Sequence, residues 1–190
     1  MLYSILLNFS DQLSFLNFFK FLTVRTGLSM FTAMIVVFLV GDSFIKYFSS
    51  KQIHDPIRED GPENHIIKKI GTPTMGGLVI LIGIIFSVVL WTDIKNIYIL
   101  FTLYILISFG LLGALDDYKK IKNNNSTGVS FRFKLFSQIL ISIIGISFLT
   151  YYLDYQEFKN LYFPFFKDLF INLGWFFIPF SVFVIVGASN

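Results

Sequence analysis

A helix that crosses the hydrocarbon core of a bilayer needs about 20 predominantly apolar residues. This chain supplies four stretches of that kind without a single charge: residues 71–92, 96–115, 135–153 and 169–190. A fifth, about residues 26–48, holds Asp42 near its C-terminal end, where the carboxylate is expected to reach water. Composition agrees with a membrane setting. Only 14% of the 190 residues are charged and 55% are hydrophobic, with 25 phenylalanines; soluble domains carry roughly 25% charge. A soluble fold could not hide that much apolar surface. There is no cysteine, which excludes disulfides and thiolate metal sites. The expected fold class is all-α, a polytopic membrane helix bundle forming one domain over residues 1–190, with about five transmembrane helices.

The loops set an orientation. After the first span come Lys46, Lys51, Arg58, Lys68 and Lys69, and after the third come Lys119, Lys120, Lys122, Arg132 and Lys134. The second loop has only Lys95 and the fourth only Lys159 and Lys167. Lysine- and arginine-rich loops stay on the cytoplasmic side. The first and third loops are therefore expected there and the N-terminus outside, although Lys20 and Arg25 pull mildly the other way. Both motif-bearing loops then share one membrane face. Residues 1–20 lack a basic start and a small-residue cleavage site, so an interfacial helix is expected there rather than a signal peptide. The aromatic segment 154–168, with Tyr155, Phe158, Tyr162 and Phe163, suits the headgroup level as an interfacial hairpin or short helix.

Chemistry concentrates in two places. In "LLGALDDYKK", residues 111–120, an apolar run gives way to Asp116 and Asp117, with Lys120 four and three positions on. Carboxylates at a helix C-terminus oppose the macrodipole at a cost of roughly 0.3–1 kcal/mol each. On a continuing helix both acids share a neighbourhood with Lys120. Two carboxylates at an aqueous face suit Mg²⁺, which takes one or two carboxylates plus substrate phosphates; alternatively one of them serves as a general base. The plainer reading is a helix exit with a local Asp–Lys pair, worth little by itself.

The second place is "HIIKKIGTPTMGG", residues 65–77. Lys68 and Lys69 bring charge, Gly71 and Pro73 interrupt regular structure, and Thr72 and Thr74 offer hydroxyls where the next helix begins. Helix N-termini attract anions, and Gly76 and Gly77 permit close approach. A phosphate cradle fits this pattern, and so does a plain helix start with a small packing face. The glycine and lysine spacing is not that of a Walker loop. "IREDGPENH" and "NNNSTG" are solvated turns, His54 and His65 lack metal-ligand spacing, and Arg132 and Lys134 can meet phosphate or anionic headgroups.

Together "PIREDGPENHIIKKIGTPTMGG", "GALDDYKK" and "FRFKLFSQ" resemble the phospho-N-acetylmuramoyl-pentapeptide transferase family, over the whole chain. The resemblance implies Mg²⁺-dependent transfer of phospho-MurNAc-pentapeptide from UDP-MurNAc-pentapeptide to undecaprenyl phosphate, giving lipid I and UMP for peptidoglycan. It implies a bundle of ten transmembrane helices in the bacterial inner membrane, a cytoplasmic site, a homodimer at full length and no nucleic-acid partner. On this resemblance Asp116 and Asp117 match the catalytic acid pair, with Asp117 as a metal ligand. Lys69 and Thr74 match positions near the nucleotide-sugar site, and Lys120 and Lys134 match substrate-binding lysines. The family pattern continues beyond "GASN", residues 187–190, with an Asn-Leu-Thr-Asp-Gly-Leu-Asp-Gly run, a third aspartate and a histidine-rich loop. The expectation is therefore an N-terminal portion, inactive by itself. Other polyprenyl-phosphate sugar-1-phosphate transferases and, more distantly, a small transporter subunit share parts of the pattern.

Overall fold

The computed structural model describes residues 2–9, 13–50, 75–123, 128–153, 160–163 and 166–190. Helix α1 (Leu2–Phe9) and a 3₁₀ segment (Ser14–Lys20) precede the long α2 (Leu22–Ser50). Then follow α3 (Gly76–Trp91), α4 (Ile97–Asn123) and α5 (Phe131–Tyr152). Strands β1 (Asn160–Phe163) and β2 (Phe166–Asn172) form an antiparallel hairpin, and a 3₁₀ turn (Gly174–Phe176) leads into α6 (Phe177–Ser189).

Three of these helices, α2, α4 and α5, are long and apolar enough to cross a membrane. The 16-residue α3 and 13-residue α6 are shorter, about 24 and 20 Å at 1.5 Å per residue. Two expected spans are therefore corrected. The helical part of 71–92 described by the structure starts at Gly76, with residues 71–74 outside the described residues. The stretch 169–190 is not one helix: its first residues finish β2. Asn172 stops them, its Oδ1 accepting the Gly174 N–H at 2.9 Å while its Nδ2 donates to Asn160 Oδ1 at 3.0 Å. Gly174 has φ +51°, a left-handed conformation suited to glycine. The helix starts only beyond this turn, with Pro179 tolerated in its first turn. Of the two expectations for the aromatic segment, the hairpin is the one found, and Tyr162 meets Phe170 across it with ring centroids 5.8 Å apart. It is the one departure from an all-helical pattern among the described residues.

Consecutive helices pack antiparallel. Between α2 and α3, the Ser29 and Ser87 hydroxyls are 2.7 Å apart, Ser87 also donates to the Ser29 carbonyl at 2.6 Å, and Trp91 Nε1 donates to Thr32 Oγ1 at 3.0 Å. Further along, Gly83 lies so close to Val37 and the Ala33 carbonyl that a side chain there would collide. Small residues set such close crossings because lipid offers no hydrophobic drive between helices. A tight turn joins α3 to α4: Asn96 Oδ1 accepts the Tyr98 N–H at 2.9 Å as an N-cap. Leu81 of α3 sits against Gly110 of α4. Tyr104 of α4 donates to the Ile141 carbonyl of α5 at 3.3 Å. Two turns into α5, buried Gln138 accepts from Asn190 Nδ2 at 2.8 Å, tying down the C-terminal end of α6.

The buried apolar set is small, Val79, Trp91, Leu112, Ile146, Leu149 and Val186, while dozens of large apolar side chains are exposed, and α2 buries none of its residues. In water such a surface would aggregate; in lipid it is the solvent-facing side. The molecule is a helical membrane protein. Its alternation puts the C-terminal ends of α2, α4 and α6 and the N-terminal ends of α3 and α5 at one end of the bundle. Asp42, exposed one residue past the Gly41 that neighbours Val79, belongs to this end.

Candidate functional site

The apolar run of α4 stops at Leu115, but the helix does not. It continues two more turns to Asn123, so the acid pair lies within the helix and not at its exit. Two features sustain those turns. Lys120 and Lys122 occupy the last turn, where cations complement the macrodipole. Asp116 and Lys120, with the acid N-terminal to the base at i,i+4, have the favourable orientation for a helical ion pair. Lys120 Nζ stands 2.7 Å from Asp116 Oδ2 and 3.4 Å from Asp117 Oδ1.

The two acids are not equivalent. Asp116 uses both oxygens: Oδ2 takes Lys120, and Oδ1 accepts the Val129 backbone N–H at 2.7 Å. Its side chain is 17% exposed, that of Asp117 36%. Among the described residues Asp117 has only the longer contact with Lys120. The Val129 amide reaches Asp116 because the residue before it is Gly128; any Cβ there would run into the Asp116 carboxylate and the Lys120 side chain. Lys134, one turn into α5, adds its positive charge to the field on Asp116. A carboxylate held this way keeps its charge, and its partner Asp117 keeps oxygen capacity for another cation.

Of the residues singled out in the sequence, the structure brings together Asp116, Asp117, Lys120 and Lys134. Lys69 and Thr74 lie outside the described residues; the described part of their motif, Gly76 and Gly77, opens α3 at the same end of the bundle. Gly128 and Val129 were missed. "NNNSTG" reads as a flexible turn, and a backbone donor leaves no side-chain signature; the one available signal was a glycine closing a polar run just before a helix. Gln138, which holds Asn190 at this end, was likewise unflagged beyond its place in "FRFKLFSQ".

A helical membrane protein with an acid–lysine cluster at one end is the class that fold and site define, and residues 97–190 match the model of glycosyl transferase family 4. Residues 69–81 match phospho-N-acetylmuramoyl-pentapeptide-transferase signature 1. The chain is 63% identical over all its 190 residues to a phospho-N-acetylmuramoyl-pentapeptide-transferase of Pelagibacter ubique (strain HTCC1062), covering 53% of that protein. It is 44% identical to the protein of that name from Citrifermentans bemidjiense and 40% identical to that from Thermodesulfovibrio yellowstonii, in each case over the whole chain and 52% of the relative. The chain belongs to the phospho-N-acetylmuramoyl-pentapeptide-transferase family and spans about half the length of the curated relatives it matches.

Proposed function

We propose that the chain forms part of a membrane enzyme that transfers phospho-MurNAc-pentapeptide from UDP-MurNAc-pentapeptide to undecaprenyl phosphate, giving lipid I and UMP. The observation that carries this reading is the unequal acid pair: Asp116 locked by Lys120 and the Val129 amide, Asp117 open beside it. The relatives' name supports the donor and the reaction class. The lysine and arginine distribution supports a site on the cytoplasmic face of the inner membrane with the N-terminus outside. A homodimer of the whole protein belongs to the same proposal.

In this reaction an acceptor phosphate oxygen forms a bond to the sugar-linked phosphorus as the bond to the UMP oxygen breaks, so positioning and charge neutralisation dominate. Lys120 and Lys134 hold anionic substrate at the acid pair, and Lys69 and Thr74 take the nucleotide sugar. A carboxylate of the pair takes the acceptor phosphate's remaining proton. Among the described residues no group of three or more His, Cys, Asp or Glu could hold a metal. Mg²⁺ is satisfied by one or two carboxylates beside substrate phosphates, and Asp117, with free oxygen capacity, is the residue that would hold it. Bound there, Mg²⁺ would neutralise charge on the diphosphate.

The test is a chimera joining residues 1–190 to the part of the Pelagibacter ubique relative that the chain does not cover. Magnesium-dependent release of UMP from UDP-MurNAc-pentapeptide, abolished by Asp117→Asn, is the expected result. Undiminished release from that variant would remove the assignment.

A further inference from the structure

Lys119 and Lys122 take no part in the acid cluster. At about 100° per residue, Leu115, Tyr118, Lys119 and Lys122 fall on the side of α4 opposite Asp116, Asp117 and Lys120. There, between the last turns of α4 and the start of α5, lies a cavity of about 470 Å³ lined by those four residues together with Ser130, Phe133 and Val129, whose amide turns away to Asp116. Leu115, Tyr118 and Phe133 are exposed and give it an apolar, aromatic wall. The lysines are exposed too, and among the described residues neither has an ion-pair partner. Ser130, at the N-cap position of α5, makes no capping bond with its hydroxyl. The macrodipole explains lysines in a last helical turn, but not an aromatic cavity beneath them with a serine hydroxyl beside them that makes no capping bond.

We propose that this cavity seats an anionic glycerophospholipid. The phosphate lies between Lys119, Lys122 and the Ser130 hydroxyl, and the acyl chains run down past Leu115 and Phe133. The chemistry is that of a membrane-interface site: lysine stems lie along apolar surface with the charges at headgroup level, and basic pockets between transmembrane helices take anionic headgroups. A polyprenyl phosphate carries a similar group, but the acid pair that would process it is on the other side of α4. The occupant assigned here is therefore a bilayer phospholipid and not the acceptor substrate.

The test uses the chain itself in nanodiscs of mixed phosphatidylglycerol and phosphatidylcholine, extracted gently and weighed by native mass spectrometry. One retained phosphatidylglycerol is expected. Lys119→Gln and Lys122→Gln should each weaken retention about 5-fold, and the double variant about 30-fold, whereas Lys95→Gln, at the opposite end of the bundle, should leave it unchanged. Equal retention by the double variant and Lys95→Gln would overturn the proposal. So would displacement by stoichiometric undecaprenyl phosphate, which marks an acceptor site, or by millimolar inorganic phosphate, which marks an anion site without lipid character. Should the double variant fail to fold, a photoactivatable phosphatidylglycerol decides on the unaltered chain. Cross-links to Tyr118 or Phe133 are expected, and labelling confined to other helices contradicts the site. None of these outcomes depends on transferase activity, so the proposed function stands or falls separately.

Discussion

At one end of the bundle Ser29, Thr32, Ser87 and Trp91 join α2 to α3 through neutral hydrogen bonds, with Phe19 stacked on Trp91 at 6.0 Å. At the other, Asp116, Asp117 and Lys120 gather around a backbone amide. The neutral contacts are half-buried, with Ser87 only 2% exposed. The charged cluster keeps contact with solvent, and its more buried carboxylate, Asp116, has both oxygens satisfied. Burying an unpaired ion costs several kcal/mol, whereas interhelical hydroxyl bonds in membranes contribute about 0.6 kcal/mol each. Hydroxyls therefore serve to pack α2 against α3 at the first end, where Asp93 and Lys95 stay in the exposed α3–α4 turn, while the clustered, mutually paired acids and lysine gather at the other.

Substitutions at the two ends should separate accordingly. The largest effect belongs to Asp117→Asn in the chimera: UMP release falls at least about 100-fold, the scale of several kcal/mol of lost charge stabilisation, with little change in thermal unfolding. Next comes Gly128→Ala. The added methyl displaces the Asp116 carboxylate and breaks its bond to Val129, costing about 1.5–3 kcal/mol; a lower unfolding midpoint in detergent and faster exchange of the Val129 amide would show it. At the neutral end, Trp91→Phe loses the Thr32 bond and Ser87→Ala loses the Ser29 contacts. Each should cost about 0.6 kcal/mol, with an upper bound near 1.7, and leave UMP release intact. A Ser87→Ala chimera with impaired turnover would break the division between the ends.

Much of this was legible in the sequence because a bilayer leaves few choices. Uncharged runs near twenty residues become helices, and α2, α4 and α5 follow the expected spans. Boundaries were harder. Helix α4 runs past its apolar segment because the Asp116–Lys120 pair and the terminal lysines stabilise two polar turns, and hydropathy alone carries no such information. Residues 169–172 are as apolar as a helix, and only the pairing of Asn172 with Asn160 and Gly174 makes them strand and turn. In the site, the approach of Lys120 to both acids followed from helical spacing, but that of Lys134 depended on how α5 returns. The inequality of Asp116 and Asp117 came from a backbone amide delivered by Gly128, which no side-chain pattern announces.

The transferase reading requires one nucleotide-linked diphosphate to reach both the start of α3 and the acid-bearing end of α4. Because the chain has no cysteine, single cysteines at Gly77, Asn123 and Lys95 can be probed in sealed inverted vesicles with a membrane-impermeant maleimide. The account predicts that Gly77→Cys and Asn123→Cys label from the same, cytoplasmic side and that Lys95→Cys labels only from the other. Labelling of Gly77→Cys and Asn123→Cys from opposite sides would contradict it.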